Sequence, residues 1–224
     1  RALRAQHEGR FTSVVPIKTP SGSVSLDECI RPSLTAERLA AMPPAFLTLG
    51  AAGSDAVQLS QYPGLTKITH VHTAGNSPAM CDAAAVLLVG SKMLASDQGL
   101  TPKVRIVDSV TCCGEPLEVV SGCVAATKAI LSRNKLSPSD VDVFEIHEAF
   151  AATIVKLQRE LEIDSARLNI NGGCIALGHP MGATGAIMAG TAIDELMRCD
   201  GSIGIIAASG AAGSGSALLV ERCY

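Results

Sequence analysis

The stretch NINGGCIALGHPMGATGA, residues 169–186, places His179 among small and apolar residues with no Asp, Glu, Lys or Arg beside it. Asn171, Gly172, Gly173, Gly178, Gly182 and Gly185 surround it. So much glycine costs backbone entropy unless the chain needs unusual dihedral angles or a ligand comes close to the backbone. The run MGATGAIMAGTAIDELM that follows reads as a helix, which sets His179 just before a helix N-terminus, where free N–H groups favour developing negative charge. A neutral imidazole there can take a proton from a thiol or donate to an oxyanion. The plainer alternative is a core histidine bonded to a neighbouring carbonyl.

Three further stretches carry candidates. In VDVFEIHEAFAA an apolar strand ends and His147 and Glu148 open a helix, at the strand edge where open α/β sheets gather ligands. An acid in a first helical turn suits the helix dipole, so Glu148 has a structural explanation; His147 has none as simple. In AASGAAGSGSALLVE, Ser209 leaves a buried strand for a glycine-rich turn, with no G-x-S-x-G elbow around it, and a turn serine is the ordinary reading. In HVHTAGNSPAMCDAAAVLLV, Asn76 and Ser77 can cap a helix that begins near Pro78. His70 and His72 are one residue apart in the same stretch, which makes a metal site only if other ligands converge on them. The sequence picks out no metal-binding set.

The elements that must position these residues follow from the hydrophobic pattern. Strands are expected at Ile68 to Thr73, Val104 to Cys112, Val141 to Ile146, Leu168 to Asn171, Ser202 to Ala208 and Ser216 to Glu221. Val120, Val124, Thr127 and Leu131 recur at helical spacing, as do Phe150, Ile154, Leu157 and Leu161, so each helix offers one apolar face to a sheet. Alternating strands and helices imply an α/β layered domain. The last two strands are joined by a few small residues and should form an antiparallel hairpin, which makes the sheet mixed. Before residue 69 the pattern is irregular, and SLTAERLAAMPPAF reads as a capped helix stopped by Pro43 and Pro44. Residues 1–68 are therefore expected to be a connecting lobe and residues 69–224 the layered domain.

Composition narrows the function classes. The 224 residues are 47% hydrophobic and 17% charged, with a mean hydropathy of +0.32 and a net charge of −3. No basic stripe is present to read nucleic acid or an anionic membrane. Leu168 to Ile193 and Gly201 to Val220 lack charged residues, but the first holds Asn169, Asn171, His179 and Pro180 and the second five glycines and four serines, whereas a spanning helix needs about 20 predominantly apolar residues. The eight cysteines form no C-x-x-C pair, and Cys112 adjoins Cys113. They read as reduced thiols packed as small hydrophobes. The N-terminal RALRAQHEGRF has neither an initiating Met nor an apolar signal core and opens partway through a polar helix, so a preceding segment is expected.

Taken in order, these stretches resemble the C-terminal half of the thiolases, acyltransferases that make or break a carbon–carbon bond between acyl groups carried on coenzyme A. NINGGCIALGHPMGATGA is similar to the family's most specific signature, VFEIHEAFAA to its N-E-A-F motif with His in place of Asn, and HTAGNSPAMCDAAAVLL to the strand and helix that open its C-terminal domain. The resemblance implies a mixed five-stranded sheet with helices on both faces, one half of an αβαβα arrangement. It implies that His179 activates a nucleophilic cysteine and that His147 serves an oxyanion hole for the thioester carbonyl, directly or through a water. It sets Asn76, Ser77 and Gly178 as the residues binding coenzyme A, with coenzyme A a substrate and no separate cofactor. The nucleophilic cysteine of the family belongs to an N-terminal half that these residues do not contain, and the second catalytic cysteine aligns with Ser209. Ala stands at 79, 83 and 212 where the family pattern has Gly, and Cys81 where it often has Asn or Val. The implied protein is a homodimer or homotetramer acting on acyl-CoA, cytoplasmic, with a mitochondrial or peroxisomal location also open. A thiolase-like protein that binds acyl-CoA without turnover, or a structural subunit of a larger assembly, remain alternatives.

Overall fold

A computed structural model describes residues 1–223. The first residues form α1 (Ala2–His7), a small hairpin of β1 (Ile17–Thr19) and β2 (Gly22–Val24), and α2 (Ala36–Ala40). Thr35 caps α2 by accepting a hydrogen bond from the Arg38 amide, and the helix stops before Pro43 and Pro44, as expected. Two further short helices follow, α3 (Leu47–Leu49) and, past a π-turn, α4 (Asp55–Gln61).

The expected strand at 68–73 does not join a ladder. Its backbone groups are taken elsewhere: Asn76 Nδ2 donates to the Val71 carbonyl, Ala45 N to that of His72, and Thr73 N to Asn76 Oδ1. Nor does a helix begin near Pro78. Residues 78–91 are irregular, and Met80, Val86 and Leu88 are 82%, 94% and 80% exposed. Helices in proteins depend mainly on burying an apolar face, and no described element covers this one. Regular structure resumes with α5 (Lys92–Asp97), capped by Ser91 Oγ on Leu94 N.

The rest is a layered α/β unit: β3 (Val104–Cys113), α6 (Gly122–Arg133), β4 (Val143–Ile146), α7 (Ala151–Leu161), α8 (Cys174–Leu177), α9 (Thr184–Cys199), β5 (Ile203–Ser209) and β6 (Ser214–Arg222). Among the described residues the sheet is mixed and has four strands, not the five expected, in the order β3-β6-β5-β4, with β5 and β6 forming the expected antiparallel hairpin and β4 parallel to β5; the stretch expected as a strand at 68–73 joins no ladder. Leu168, expected in a strand, makes a single bridge to Phe144.

Side-chain alternation along the strands divides the core between two faces. Ile205, Ala207, Ala217 and Leu219 pack with Val124, Ile130 and Leu131 of α6 and Leu157 of α7; Val143, Ile206 and Val220 pack with Met188, Ala192 and Leu196 of α9. Helices therefore cover both faces. α6 lies close on β6, since a Cβ on Gly215 would strike the Gly122 backbone and one on Gly122 the backbone of Gly213 and Ser214. Among the described residues no helix is long and apolar enough to cross a membrane.

Candidate functional site

The site forms at the C-terminal end of β4. The strand stops at Ile146, and the side-chain amide of Asn169 takes the place of a continuing strand: Oδ1 accepts from Ile146 N at 2.8 Å, while Nδ2 donates to Ile146 O and to Glu148 Oε1, both at 2.9 Å. Asn169 is buried with φ +44°, in the left-handed region that asparagine tolerates better than most residues. This pins the glycine-rich loop to the strand end. Glu148 does not sit in the first turn of its own helix, because α7 starts only at Ala151; its Oε2 instead accepts from Ile175 N at 3.0 Å and fastens the start of α8. Gly173 is required there, since a Cβ would run into the Glu148 carboxylate.

That scaffold brings the two predicted histidines together. Their rings lie 4.5 Å apart, centroid to centroid, tilted by 39°. His147, 5% exposed, sits in the loop between β4 and α7 rather than opening a helix. Its Nδ1 contacts the Ser209 carbonyl at 3.2 Å. A carbonyl only accepts, so neutral His147 carries its proton on Nδ1 and its lone pair on Nε2. Nε2 is buried without a hydrogen-bond partner. Burial, with His179 nearby, brings the pKa of His147 down to about 4. His179 is held between two segments: its backbone N donates to the Ala79 carbonyl, and its Nδ1 pairs with Thr184 Oγ1 at 2.7 Å, in the first turn of α9. Burial lowers its pKa as well, so both imidazoles are neutral at pH 7.

A third residue, Cys174, completes the cluster. One ring nitrogen of each histidine and the Cys174 Sγ lie within 4.8 Å of one another. Burial pushes the thiol up to about 12; the Glu148 amide, donating to the sulfur, works against this, and the charges of Glu148 and Glu145 add to it. Sequence reasoning passed over Cys174 because a buried cysteine between glycines and Ile-Ala-Leu looks like a small hydrophobe. Its position inside the most reactive motif was the available signal. Thr184 was missed similarly, as one small residue among several in a helix start.

The other expected residues lie around this cluster. Ser209 touches it through its backbone carbonyl, while its Oγ accepts from Cys123 N at 2.9 Å at the start of α6. It follows Ile205 and Ala207 on the α6 side of β5. Asn76 and Ser77 cap no helix: Ser77 Oγ donates to the Thr73 carbonyl, and the Asn76 carbonyl accepts from Ala151 N, tying this turn to the start of α7. Gly178, at φ +87°, precedes His179 where a Cβ would meet the sulfurs of Cys81 and Cys29 at 2.5 and 2.9 Å. His70 pairs with Asp55 at 3.0 Å, and His72 packs on Phe46 and Phe150. The His70 and His72 spacing thus serves structure.

Comparison with known proteins places the chain in a family. Residues 100–222 match the family model for the thiolase C-terminal domain. The 3-oxoadipyl-CoA/3-oxo-5,6-dehydrosuberyl-CoA thiolase of Escherichia coli strain K12 is 37% identical over 99% of this chain and 52% of its own length. A 3-ketoacyl-CoA thiolase of Klebsiella pneumoniae is 36% identical over 99% of this chain and 55% of its own. The crystal structure of the Bacillus anthracis acetyl-CoA acetyltransferase superposes with a TM-score of 0.82 at 34% identity, covering 99% of this chain and 52% of that one. Human mitochondrial 3-ketoacyl-CoA thiolase in complex with CoA gives 0.81 at 28% identity, covering 99% and 51%. The chain spans about half the length of the curated relatives it matches, and it belongs to the thiolase family.

Proposed function

We propose that this chain is the C-terminal part of a thiolase-type acyltransferase, cleaving 3-ketoacyl-CoA with a second coenzyme A or running the reverse condensation. In this reading residues 1–68 are the linking lobe and residues 69–224 the catalytic domain, and an N-terminal half supplies the nucleophilic cysteine. The observation that carries the reading is the pair of neutral histidines at the end of β4, His147 buried and His179 half-buried, each with its Nδ1 already engaged. In the tautomer whose Nδ1–H donates to Thr184 Oγ1, His179 Nε2 is a base: it takes the thiol proton as the cysteine attacks the thioester carbonyl. His147 cannot donate from Nε2 in the neutral tautomer that the Ser209 carbonyl selects. A water that donates one proton to that Nε2 and the other to the thioester oxygen would build the oxyanion hole, so of the two roles open to His147 the water-mediated one fits.

His179→Ala in the complete protein is expected to lower acyl-enzyme formation from acetoacetyl-CoA by about 10²- to 10⁴-fold, the usual worth of a positioned general base. Mass spectrometry of the acylated chain reads this directly, and unchanged acylation overturns the assignment. A second reading, a protein that binds acyl-CoA without turning it over, is favoured by one observation: the Ser209 hydroxyl is already held by the Cys123 amide. Ser209→Cys separates the two. A gain in thiolysis toward about 10²-fold or more, with acylation unchanged, gives position 209 the second proton transfer; no change favours the binding protein. The partners in this proposal are acyl-CoA, coenzyme A and a second copy of the whole chain.

A further inference from the structure

We propose that Cys29 and Cys81 are a paired oxidation site, converted by a hydroperoxide to a reversible disulfide that clasps residues 27–31 to the segment lying behind Gly178 and His179. The inference goes beyond the acyltransferase reading and does not need it. The geometry comes from Gly178. The point where a Cβ on this glycine would stand is 2.5 Å from the Cys81 sulfur and 2.9 Å from that of Cys29, so both sulfurs fill one gap left by the missing side chain. Cys29 also acts on Cys81 through a side-chain hydrogen bond. Both are half-buried free thiols, which leaves room for a small oxidant to reach them. Both lie outside every helix and strand, so the backbone can follow the sulfurs together without breaking a ladder or a helical turn.

The bond would join parts of the chain that already touch. Arg31 Nη1 donates to the Ala74 carbonyl at 3.1 Å and its Nη2 to that of Ile175 at 3.3 Å. Asp27 Oδ1 accepts from Cys29 N at 2.8 Å, and the Ala79 carbonyl accepts from His179 N at 2.8 Å. Three stretches far apart in sequence thus converge on the two sulfurs. Burial first, then Cys29, Asp27 and Asp82, hold the Cys81 thiol above its ordinary value. Scarce thiolate sets Cys81 apart from a stand-alone nucleophile, and contact with a second sulfur supplies by proximity what thiolate character does not. One cysteine attacks the hydroperoxide and breaks its O–O bond, giving a sulfenic acid and an alcohol, or water where the oxidant is hydrogen peroxide. The other sulfur then displaces the sulfenic oxygen as water. Together the two thiols lose two electrons and two protons, which the hydroperoxide takes up, and a thiol reductant reverses the bond.

The test treats the complete protein with hydrogen peroxide and maps its peptides by mass spectrometry without reduction. A pair of peptides joined through Cys29 and Cys81 is expected, and a thiol reductant should separate it. Because the bond closes a ring from residue 29 to residue 81, the melting temperature should rise by about 5 °C or more on oxidation and fall back on reduction. Cys29→Ser and Cys81→Ser should each abolish both the joined peptides and the shift, with the circular dichroism of the reduced protein unchanged. The peptide map of the parent protein decides the question whether or not either variant folds. Exposure alone would direct oxidation to Cys113 and Cys199, the exposed thiols. Oxidation there with Cys29 and Cys81 left as thiols overturns the proposal. So do sulfinic or sulfonic acids on Cys29 and Cys81 without a bond between them, either cysteine joined to a different partner, or a joined pair that leaves the melting temperature unchanged. None of these readouts depends on turnover, so failure of the acyltransferase reading and failure of the oxidation site are separately visible.

Discussion

The unit from β4 to β6 and the segment from residue 78 to α5 are both rich in apolar residues, the second more so, and have opposite fates. In the first, Phe144, Ile146, Leu196 and Ile205 are fully buried, and even the polar Asn169 and Glu195 find partners inside. In the second, Val86, Leu87, Leu88 and Val89 lie exposed in irregular chain, and Met93 and Leu94 of α5 extend the patch. The difference is not hydrophobicity but who supplies the other surface: sheet and helices cover one another in the first, and nothing described covers the second. A contiguous exposed apolar patch of this kind marks an interaction surface.

The comparison can be broken most severely at the sheet. Gly215→Ala forces a Cβ into the Gly122 backbone and is expected to cost about 3 kcal/mol or more, at the upper end for overpacking, read as a fall in the denaturant midpoint. An ordinary midpoint would mean that α6 does not sit this close.

The next largest effect is on acid stability. The pKa of His147 falls from 6.5 to about 4 on folding, so its neutral form is favoured in the native state. Its contribution is present above pH 6.5 and is lost as pH falls through that window, by about 3 kcal/mol in total at 1.36 kcal/mol per unit. Burial shifts His179 the same way. Buried Glu145 is raised well above 4.5, so its contribution is lost as pH rises. The clean measurement is therefore the difference between the parent chain and His147→Gln, whose stability should fall less between pH 6.5 and 4. Parallel curves would remove His147 as the cause.

Smaller still is the stability effect of His179→Ala, expected to stay under about 1 kcal/mol because the half-buried ring fills little of the core. A large loss of melting temperature would make the ring a structural support. Val86→Lys and Leu88→Lys should change stability by about 0.5 kcal/mol or less, as exposed substitutions do. The isolated chain is expected to self-associate through this patch in light scattering, and both substitutions should abolish that association; continued association would place the sticky surface elsewhere.

Much of the ordered half was legible in advance because its elements satisfy themselves. The β5–β6 hairpin, the helical faces of α6 and α7 and the helix after His179 all followed from spacing, and both histidines stood out for want of a structural excuse. What was misread depended on distant partners. The alternation at 68–73 resembled a strand, yet Asn76 and Ala45 had taken its backbone groups. AMCDAAAVLLV resembled a helix, but a helix that is apolar on several sides needs burial the chain does not provide. Cys174 could not be singled out because its meaning comes from residues 27 positions earlier, at His147, as well as five later, at His179.

The amide of Asn169 has a consequence for how this protein can aggregate. β4 lies at one margin of the sheet, and an exposed margin is a template on which another chain can add a strand. Asn169 occupies both backbone groups of Ile146 with its side chain, and its own amide takes the Phe144 carbonyl. One residue therefore both holds the reactive loop in place and seals that margin, leaving β3, at the opposite side, as the edge where the sheet can still grow.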